Sequence, residues 1–174
     1  MPPIVRRAAP EDAARITEFA ARAFRDAFEA ENRPEDVVAH LAATFTPERQ
    51  TAELHDPSWT TLLMEEASEP AGYAQLRQGP APACVTGPTP LELVRFYVDR
   101  RWHGRGHAQA LMAAVIVAAA EKGETLWLSV WERNPRAVAF YSKSGFVDVG
   151  SKIFRLGGDE QSDRVMARSL REPS

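Results

Sequence analysis

The sequence contains almost no cysteine and no long hydrophobic run. Cys84 is the single cysteine among 174 residues, which excludes an internal disulfide framework and a cysteine-rich zinc site. We interpret it as a small apolar side chain in or near a loop rather than as a reactive thiol. The longest apolar run, 110–120, is shorter than the ~18 residues of a membrane span. No apolar segment typical of a secretory signal follows Arg6 and Arg7, so we expect a cytoplasmic protein that does not bind membranes.

An excess of charge of one sign is also missing. Lys and Arg number 21 against 24 Asp and Glu, which gives a net charge of -3 at pH 7. A general nucleic-acid-binding protein is usually basic over a whole face, so we expect no nucleic-acid partner. The weakly acidic balance fits a cationic substrate, and no metal site is expected. The 44% of hydrophobic and 26% of charged residues are ordinary for a soluble globular protein.

The spacing of apolar and turn residues predicts one mixed α/β domain over residues 1–174. The predicted strands are 4–8, 59–64, 71–76, 91–98, 125–130, 146–154 and 164–170. The predicted helices begin at about Pro10, Pro34, Pro47, Gly106 and Asn134, and a proline-rich loop covers 78–90. The helix from Gly106 to about Lys122 is apolar nearly all round, so we expect it deep in the core. It joins strands 91–98 and 125–130, which predicts a parallel right-handed crossover.

The stretch 91–106 is the most informative part of the chain. An apolar strand with β-branched residues is followed by a short turn with two glycines, and the alanine-rich helix begins at about Gly106. This order leaves free backbone N–H groups at a helix N-terminus, where the helix dipole favours an anion. Arg100, Arg101 and Arg105 add positive charge. The sequence therefore predicts a cradle for phosphate or pyrophosphate.

Two motifs resemble those of the GCN5-related N-acetyltransferases (GNAT). The run Arg101–Gly106 fits the pattern Gln/Arg-x-x-Gly-x-Gly/Ala of their acyl-CoA pyrophosphate loop. The block Trp127–Val130, with Asn134 and Phe140–Phe146 after it, is similar to the family's later motif. The order of predicted strands and helices matches as well. The resemblance implies the GNAT fold, a central mixed β-sheet with helices on both faces, and acetyl-CoA as the cosubstrate.

By this resemblance, the glycine-containing turn and the first helical residues hold the pyrophosphate of acetyl-CoA. The backbone N–H groups expected to bind it belong to His103, Gly104, Arg105, Gly106, His107 and Ala108. The glycines leave room for the anion, because they lack a side chain. The side chains of Arg101 and Arg105 either add screened attraction or are plain surface charges. His103 stands where an arginine is more usual in the family, and Ala108 where glycine is common.

The resemblance also implies a slot for the pantetheine arm. In this family the strand that corresponds to 91–98 carries a bulge and splays from the next parallel strand. Backbone groups of Phe96 and Val98 would pair with pantetheine, and the amide of Val98 or one near it would polarise the thioester carbonyl. Asn134 would hold the pantetheine from the other side or cap the helix that Pro135 begins, and both roles are compatible.

Acetyl transfer to an amine needs a neutral amine and a proton for the departing thiolate. Tyr141 stands where many family members have a general-acid tyrosine, and the alternative is an aromatic residue of the core. Glu92 is the candidate base, because an acid inside an apolar strand is costly to bury and is expected to face the slot. An amine pKa of about 10 favours its action through water. The alternative for Glu92 is an ion pair with Arg95 or another base.

The strand Glu92–Val98 resembles that of the PaiA-like subgroup, which is linked to acetylation of polyamines such as spermidine. This implies an N-acetyltransferase that acts by direct transfer on a primary amine of a small cationic acceptor. Cys84 lies outside the motifs, which disfavours a covalent enzyme intermediate. The candidate acceptor contacts are Phe24, Phe28, Glu29, Glu31 and Asn32. The alternative for the two glutamates is a solvated helix end.

Other functions stay open on the sequence alone. One is an N-acetyltransferase of a protein N-terminus or lysine, and another is a non-catalytic, acyl-CoA-binding regulatory domain. A Rossmann-type nucleotide binder is disfavoured, because the glycines follow a mid-chain strand and lack the spacing Gly-x-Gly-x-x-Gly. A homodimer is open as well, since dimers are common in the family.

Overall fold

The computed structural model describes residues 2–172, which form one seven-stranded sheet in the order β1-β2-β3-β4-β5-β7-β6. The strands are β1 (Ile4–Arg7), β2 (Trp59–Glu66), β3 (Glu69–Gln78), β4 (Pro90–Val98), β5 (Thr125–Trp131), β6 (Val147–Leu156) and β7 (Asp159–Ser169). The α-helices are α1 (Ala13–Phe28), α2 (Pro34–Thr44), α3 (Pro47–His55), α4 (His107–Ala120) and α5 (Pro135–Lys143). The β4–β5 pair is parallel and the other pairs are antiparallel. The predicted mixed sheet with helices on both faces is therefore confirmed.

The two faces of the sheet carry separate apolar clusters. On one face, α1 and α2 pack through residues such as Phe19 and Leu41 against Tyr73 of β3. On the other face, α4 packs through residues such as Leu111 against Leu126 of β5, and α5 adds partly buried aromatic residues. The strands β2, β3 and β4 contribute to both clusters, because successive side chains point to opposite faces.

The prediction that α4 lies deep in the core rather than at the surface holds for one side of the helix and is wrong for the other. Leu111 and Val115 are fully buried, whereas Val117 is 66% exposed. Gln109, Ala113 and Val117 recur at a spacing of four and share a solvent-facing side of the helix. Alanine and valine on that side hide the boundary in the sequence, because they are apolar whether or not they are covered.

The loop between β3 and β4 contains Cys84, as predicted, and packs against β5, β6 and β7. Cys84 is a free thiol, half-buried, and contacts the small cluster around Trp127 and Val165. Its side chain lies so close to Gly150 that a Cβ at that glycine would be 2.9 Å from the sulfur. Cys84 therefore acts as a small packing residue, as expected.

β4 carries a bulge and separates from β5 part of the way along its length. Gln75 of β3 pairs with Arg95 and Leu76 with Leu93, so Val94 is an extra residue that bends the strand. β4 pairs with β5 only from Pro90 to Glu92. Beyond that point the two strands diverge and leave a gap in the middle of the sheet.

The backbone of β4 faces this gap at alternate residues. The Asp99 N–H donates to the Ala71 oxygen at 2.8 Å, so the backbone groups of Asp99 and Tyr97 point to β3. The backbone N–H and C=O groups of Phe96 and Val98 therefore point the other way, towards the gap. This is the arrangement that pairing with an extended pantetheine arm requires.

No helix within residues 2–172 is long and apolar enough to cross a membrane. In the same range, no group of three or more His, Cys, Asp or Glu side chains is arranged to hold a metal ion.

Candidate active site

A cavity of about 970 Å³ occupies the gap between β4 and β5 and opens on both faces of the sheet. At the end on the α4 and α5 face it is lined by Phe96, Val98, His103, Gly104, Ala108, Asn134, Phe140 and Tyr141. At the end on the α1 and α2 face it is lined by Phe24, Phe28, His40, Phe45, Trp131 and Phe154. We call these the donor end and the acceptor end. Most of the residues that the sequence singled out for acetyl-CoA and for the general acid are thus brought to the donor end.

The turn before α4 forms the predicted cradle with one correction: the N–H groups of His103 and Arg105 donate to the backbone oxygens of Arg100 at 3.2 Å and Trp102 at 3.3 Å, and so are not free. Gly104 and Gly106 have φ angles of 74° and 84°, in the left-handed region that favours glycine, and open space lies where a Cβ would stand on either. No acceptor within residues 2–172 takes the backbone N–H of these glycines or of His107, Ala108 and Gln109. Five free donors at a helix N-terminus fit the pyrophosphate of acetyl-CoA.

The side chains of the cradle are mostly engaged with the protein itself. Arg101 forms a two-pronged pair with Asp99, at 3.1 and 3.0 Å, which raises the pKa of its guanidinium. Arg105 is exposed and lies 5.5 Å from the Trp102 ring centroid. Neither arginine lines the cavity. The anion site therefore consists of backbone groups, and the expected attraction from Arg101 is already used by Asp99.

The two histidines of the cradle act differently. His103 is exposed, and its Nε2 lies 2.9 Å from the Val98 oxygen. Because a carbonyl oxygen only accepts, Nε2 carries the proton and ties the turn to the end of β4. His107 is buried, and its ring stacks on Trp102 with 4.8 Å between the centroids. Its Nε2 lies 2.9 Å from the Glu66 Oε2. Its side chain is structural, while its N–H belongs to the cradle.

Asn134 lines the cavity and also caps α5. Its Oδ1 accepts from the Ala137 N–H at 3.2 Å. Its amide NH₂ group has no acceptor within residues 2–172 and can donate into the cavity. Both roles considered for Asn134 are therefore compatible with this position.

Tyr141 lines the donor end beside Phe96 of β4. Its ring packs edge to face against three phenylalanines, with centroid separations of 6.2 Å to Phe96, 5.5 Å to Phe140 and 5.8 Å to Phe146. Its hydroxyl has no hydrogen-bond partner among the described residues. Burial raises the pKa of Tyr141 well above its usual value, with a further contribution from Tyr97. The hydroxyl therefore stays protonated at neutral pH and is free to donate.

Glu92 lies outside the cavity, which corrects the expectation that it faces the slot. It belongs to the part of β4 that is still paired with β5, before the strands diverge. Its Oε2 lies 2.5 Å from an Nη atom of Arg77, its cross-strand neighbour on β3. Arg95 does not contact Glu92 and instead pairs with Glu53 at 2.7 Å. The alternative of an ion pair therefore describes Glu92, with Arg77 as the partner.

The acceptor end contains part of the predicted substrate wall. Phe24 and Phe28 line it, with their ring centroids 4.6 Å apart. The His40 ring stacks on Phe24 with 4.5 Å between the centroids. Burial lowers the pKa of His40, with help from Arg95 and Arg49, so this ring is neutral at pH 7. The other predicted contacts, Glu29, Glu31 and Asn32, do not line the cavity.

Asp163 is the carboxylate that the sequence interpretation missed. It lies on β7, lines the cavity and is only 5% exposed. Its Oδ1 is buried without a partner, and burial raises the pKa of its carboxyl to about 6. An acid in an otherwise apolar strand was the signal that pointed to Glu92. That signal is absent at Asp163, because Ser162 and Arg164 flank it and the predicted β7 began only at Arg164.

The chain is similar to known acetyltransferases. Residues 15–146 match the family model described as "Acetyltransferase (GNAT) family". An uncharacterized N-acetyltransferase of Mycobacterium tuberculosis is 34% identical over 160 residues, which cover 91% of this chain and 98% of that protein. A spermine/spermidine N(1)-acetyltransferase of Bacillus subtilis is 31% identical over 80 residues, or 45% of this chain and 49% of that protein. A crystal structure of a PaiA N-acetyltransferase from Thermoplasma acidophilum in complex with coenzyme A has the same fold, with a TM-score of 0.78 at 18% identity over 97% of this chain and 99% of that one.

Proposed function

This chain belongs to the GNAT family of acetyltransferases, whose acyl donor is acetyl-CoA, and we propose that it transfers the acetyl group directly to a primary amine of a small cationic acceptor such as a polyamine. One observation carries the proposal. A single cavity joins a cradle of free N–H groups on one face of the sheet to an aromatic pocket on the other, which contains the carboxylate of Asp163 without an ion-pair partner among the described residues. The two ends have the chemistry that an anionic donor and a cationic acceptor need.

The donor end has backbone groups suited to the pyrophosphate and to the pantetheine arm of acetyl-CoA. The free N–H groups of Gly104, Gly106, His107, Ala108 and Gln109 would hold the pyrophosphate, and the backbone of Phe96 and Val98 would pair with the pantetheine arm. When bound, acetyl-CoA supplies a reactive thioester. The Val98 N–H would then donate to the thioester oxygen as negative charge develops there, which is oxyanion-type stabilisation.

Tyr141 would donate its hydroxyl proton to the departing thiolate, and it would regain a proton, directly or through water, when the acylated amine nitrogen releases one. Its raised pKa keeps the hydroxyl protonated, and its lack of a protein partner leaves it free for the sulfur. Asn134 would hold the pantetheine on the opposite side of the slot. Glu92 has no part in this scheme because its carboxylate pairs with Arg77.

The acceptor class follows from the residues at the other end of the cavity. Aromatic rings attract alkylammonium groups through their negative faces. Asp163 adds a carboxylate without an ion-pair partner in residues 2–172, whereas Asp26 lies 3.8 Å from Arg100, and Arg95 is paired with Glu53. A relative matched over 45% of this chain is named a spermine/spermidine N(1)-acetyltransferase, which supports the same class.

Thiol release from acetyl-CoA, measured with a panel of amines, tests the proposal. The panel contains linear diamines and polyamines, amino acids, aminoglycosides, and peptides with a free N-terminus or lysine. We expect the linear di- and polyamines to have the highest kcat/KM, and intersecting initial-rate lines, because both substrates bind before transfer. Preference for the peptides contradicts the acceptor class, and parallel lines or acetylated Cys84 contradict direct transfer. If CoA binds and no amine releases thiol, the chain is a non-catalytic acyl-CoA-binding domain.

A further inference from the structure

We propose that Asp163, with the rings of Phe28 and Trp131, forms a subsite that binds an alkylammonium group of the acceptor. The inference rests on the proposed function in taking the acceptor to be an amine. It goes further in naming the residues that select for positive charge. Binding of an ammonium group can be measured without turnover, so the two can fail separately.

The carboxylate of Asp163 has a neutral hydrogen-bond partner in the Ser129 hydroxyl but lacks the ion-pair partner that a buried charge needs. It is 5% exposed, and its Oδ1 has no hydrogen-bond partner. No Lys, Arg or His nitrogen within residues 2–172 lies within 4.0 Å of it, whereas the other largely buried acids, such as Asp12 and Glu53, each pair with an arginine. Leaving a buried carboxylate unpaired costs several kcal/mol, roughly, so such a group points to a cationic ligand.

The neighbours of Asp163 shape the space around it for a cation. Trp131 is its cross-strand partner on β5, so the two side chains are adjacent on the same face of the sheet. Phe28, from the end of α1, contacts Trp131 at 6.0 Å between ring centroids. All three residues line the cavity. A carboxylate beside two aromatic rings is a standard combination for binding an alkylammonium group.

The charged side chains near Asp163 do not form an ion pair with its carboxylate. Lys152 is its partner on β6, but its Nζ lies over the Trp127 ring, 5.7 Å from the centroid. Arg133 lies over Trp131, 5.4 Å from the ring centroid, and does not pair with the carboxylate. Glu132 adds negative charge to the same region. The attraction of the carboxylate for a cation is therefore left for a ligand.

Calorimetric titration of the CoA-loaded protein with 1,8-diaminooctane tests the subsite, with 1,8-octanediol as the uncharged ligand of equal length. We expect the wild type to bind the diamine and not the diol. Asp163→Asn, which keeps the shape and removes the charge, should weaken diamine binding at least tenfold and leave the Kd for CoA within twofold. Asp148→Asn is the matched control, because Asp148 is exposed and pairs with Arg164 away from the cavity.

Wild-type diamine affinity in Asp163→Asn would overturn the proposal, and so would equal binding of diamine and diol by the wild type. If Asp163→Asn also loses its affinity for CoA, the diamine affinity of Phe28→Leu tests the subsite instead. This variant removes an aromatic ring at a half-buried position. A three- to tenfold loss of diamine affinity there supports the subsite, and an unchanged affinity overturns it. Diamine binding without thiol release contradicts the proposed function alone. Thiol release that Asp163→Asn leaves unchanged contradicts the subsite alone.

Discussion

Glu92 and Arg77 form a cross-strand ion pair, with 2.5 Å between the Glu92 Oε2 and an Nη atom of Arg77, outside the cavity between β4 and β5. Because this carboxylate does not reach the reacting groups, we expect Glu92→Gln to keep kcat within about threefold of the wild type. Steady-state thiol release with the best amine of the panel measures this. A loss of a hundredfold or more would restore Glu92 as the base that the sequence suggested.

Tyr141→Phe should lower kcat by about a hundredfold, because a positioned general acid contributes roughly that much or more. The Kd for CoA should stay within twofold, since the ring and its contacts with Phe96 and Phe140 are retained. Calorimetry with CoA and turnover assays on the same preparation separate the two effects. Activity near that of the wild type would mean that the thiolate leaves without a proton from this residue.

Gly106→Ala should weaken CoA binding at least tenfold. The φ of 84° costs a residue with a Cβ about 1–2 kcal/mol, and the new methyl group would enter the open space beside the free N–H groups. Gly79→Ala is the matched control, because Gly79 is an exposed loop glycine that also has open space around it and no such φ. Equal CoA affinity in the two variants would argue against the backbone cradle.

Asp163 makes stability depend on pH in an unusual direction. Burial raises the pKa of its carboxyl from 3.8 to about 6 against the opposing effect of Lys152, so the folded protein binds this proton more tightly than the unfolded chain. Ionising the buried carboxyl therefore lowers the free energy of unfolding. This loss is absent below about pH 4 and complete above about pH 6, where it reaches roughly 3 kcal/mol. Asp163→Asn should therefore raise the free energy of unfolding at pH 7.5 by roughly 1–3 kcal/mol.

Urea unfolding of Asp163→Asn and the wild type between pH 5 and pH 8 checks this dependence. The advantage of the variant should shrink as the pH falls, because the wild-type carboxyl becomes protonated and its penalty disappears. A variant that is less stable than the wild type at pH 7.5 would indicate a carboxylate with a partner in the folded protein. In that case, the acid would have a structural role.

The sequence predicted the order of elements and the cradle because both depend on local patterns. Glycines at the turn, proline at helix starts and apolar strands leave a direct trace in the chain. The sequence did not show which acid enters the cavity. Glu92 interrupts an apolar strand, whereas Asp163 lies among polar residues of β7, and their positions relative to the cavity depend on where β4 leaves β5 and which strand lies opposite. These are properties of pairing between distant segments, so neither residue alone carries that information.

The outer side of α4 was unpredictable for a related reason. Val117 is as apolar as Val115, and only the packing of the helix against the sheet leaves the first exposed and the second buried. The strand ends were likewise predicted short, since β6 and β7 extend to the tight turn at Gly157. That extension is what brings Asp163 opposite Trp131.

The opening of one cavity on both faces of the sheet also bears on how ligands leave. CoA and the acetylated amine would depart by separate routes, so neither has to wait for the other. We therefore expect the dissociation rate of CoA, measured by stopped-flow fluorescence, to change less than twofold when 1,8-diaminooctane is saturating. A strong slowing would show that the amine closes the only exit. With two exits, the acceptor can extend well past its reacting nitrogen without delaying the next cycle.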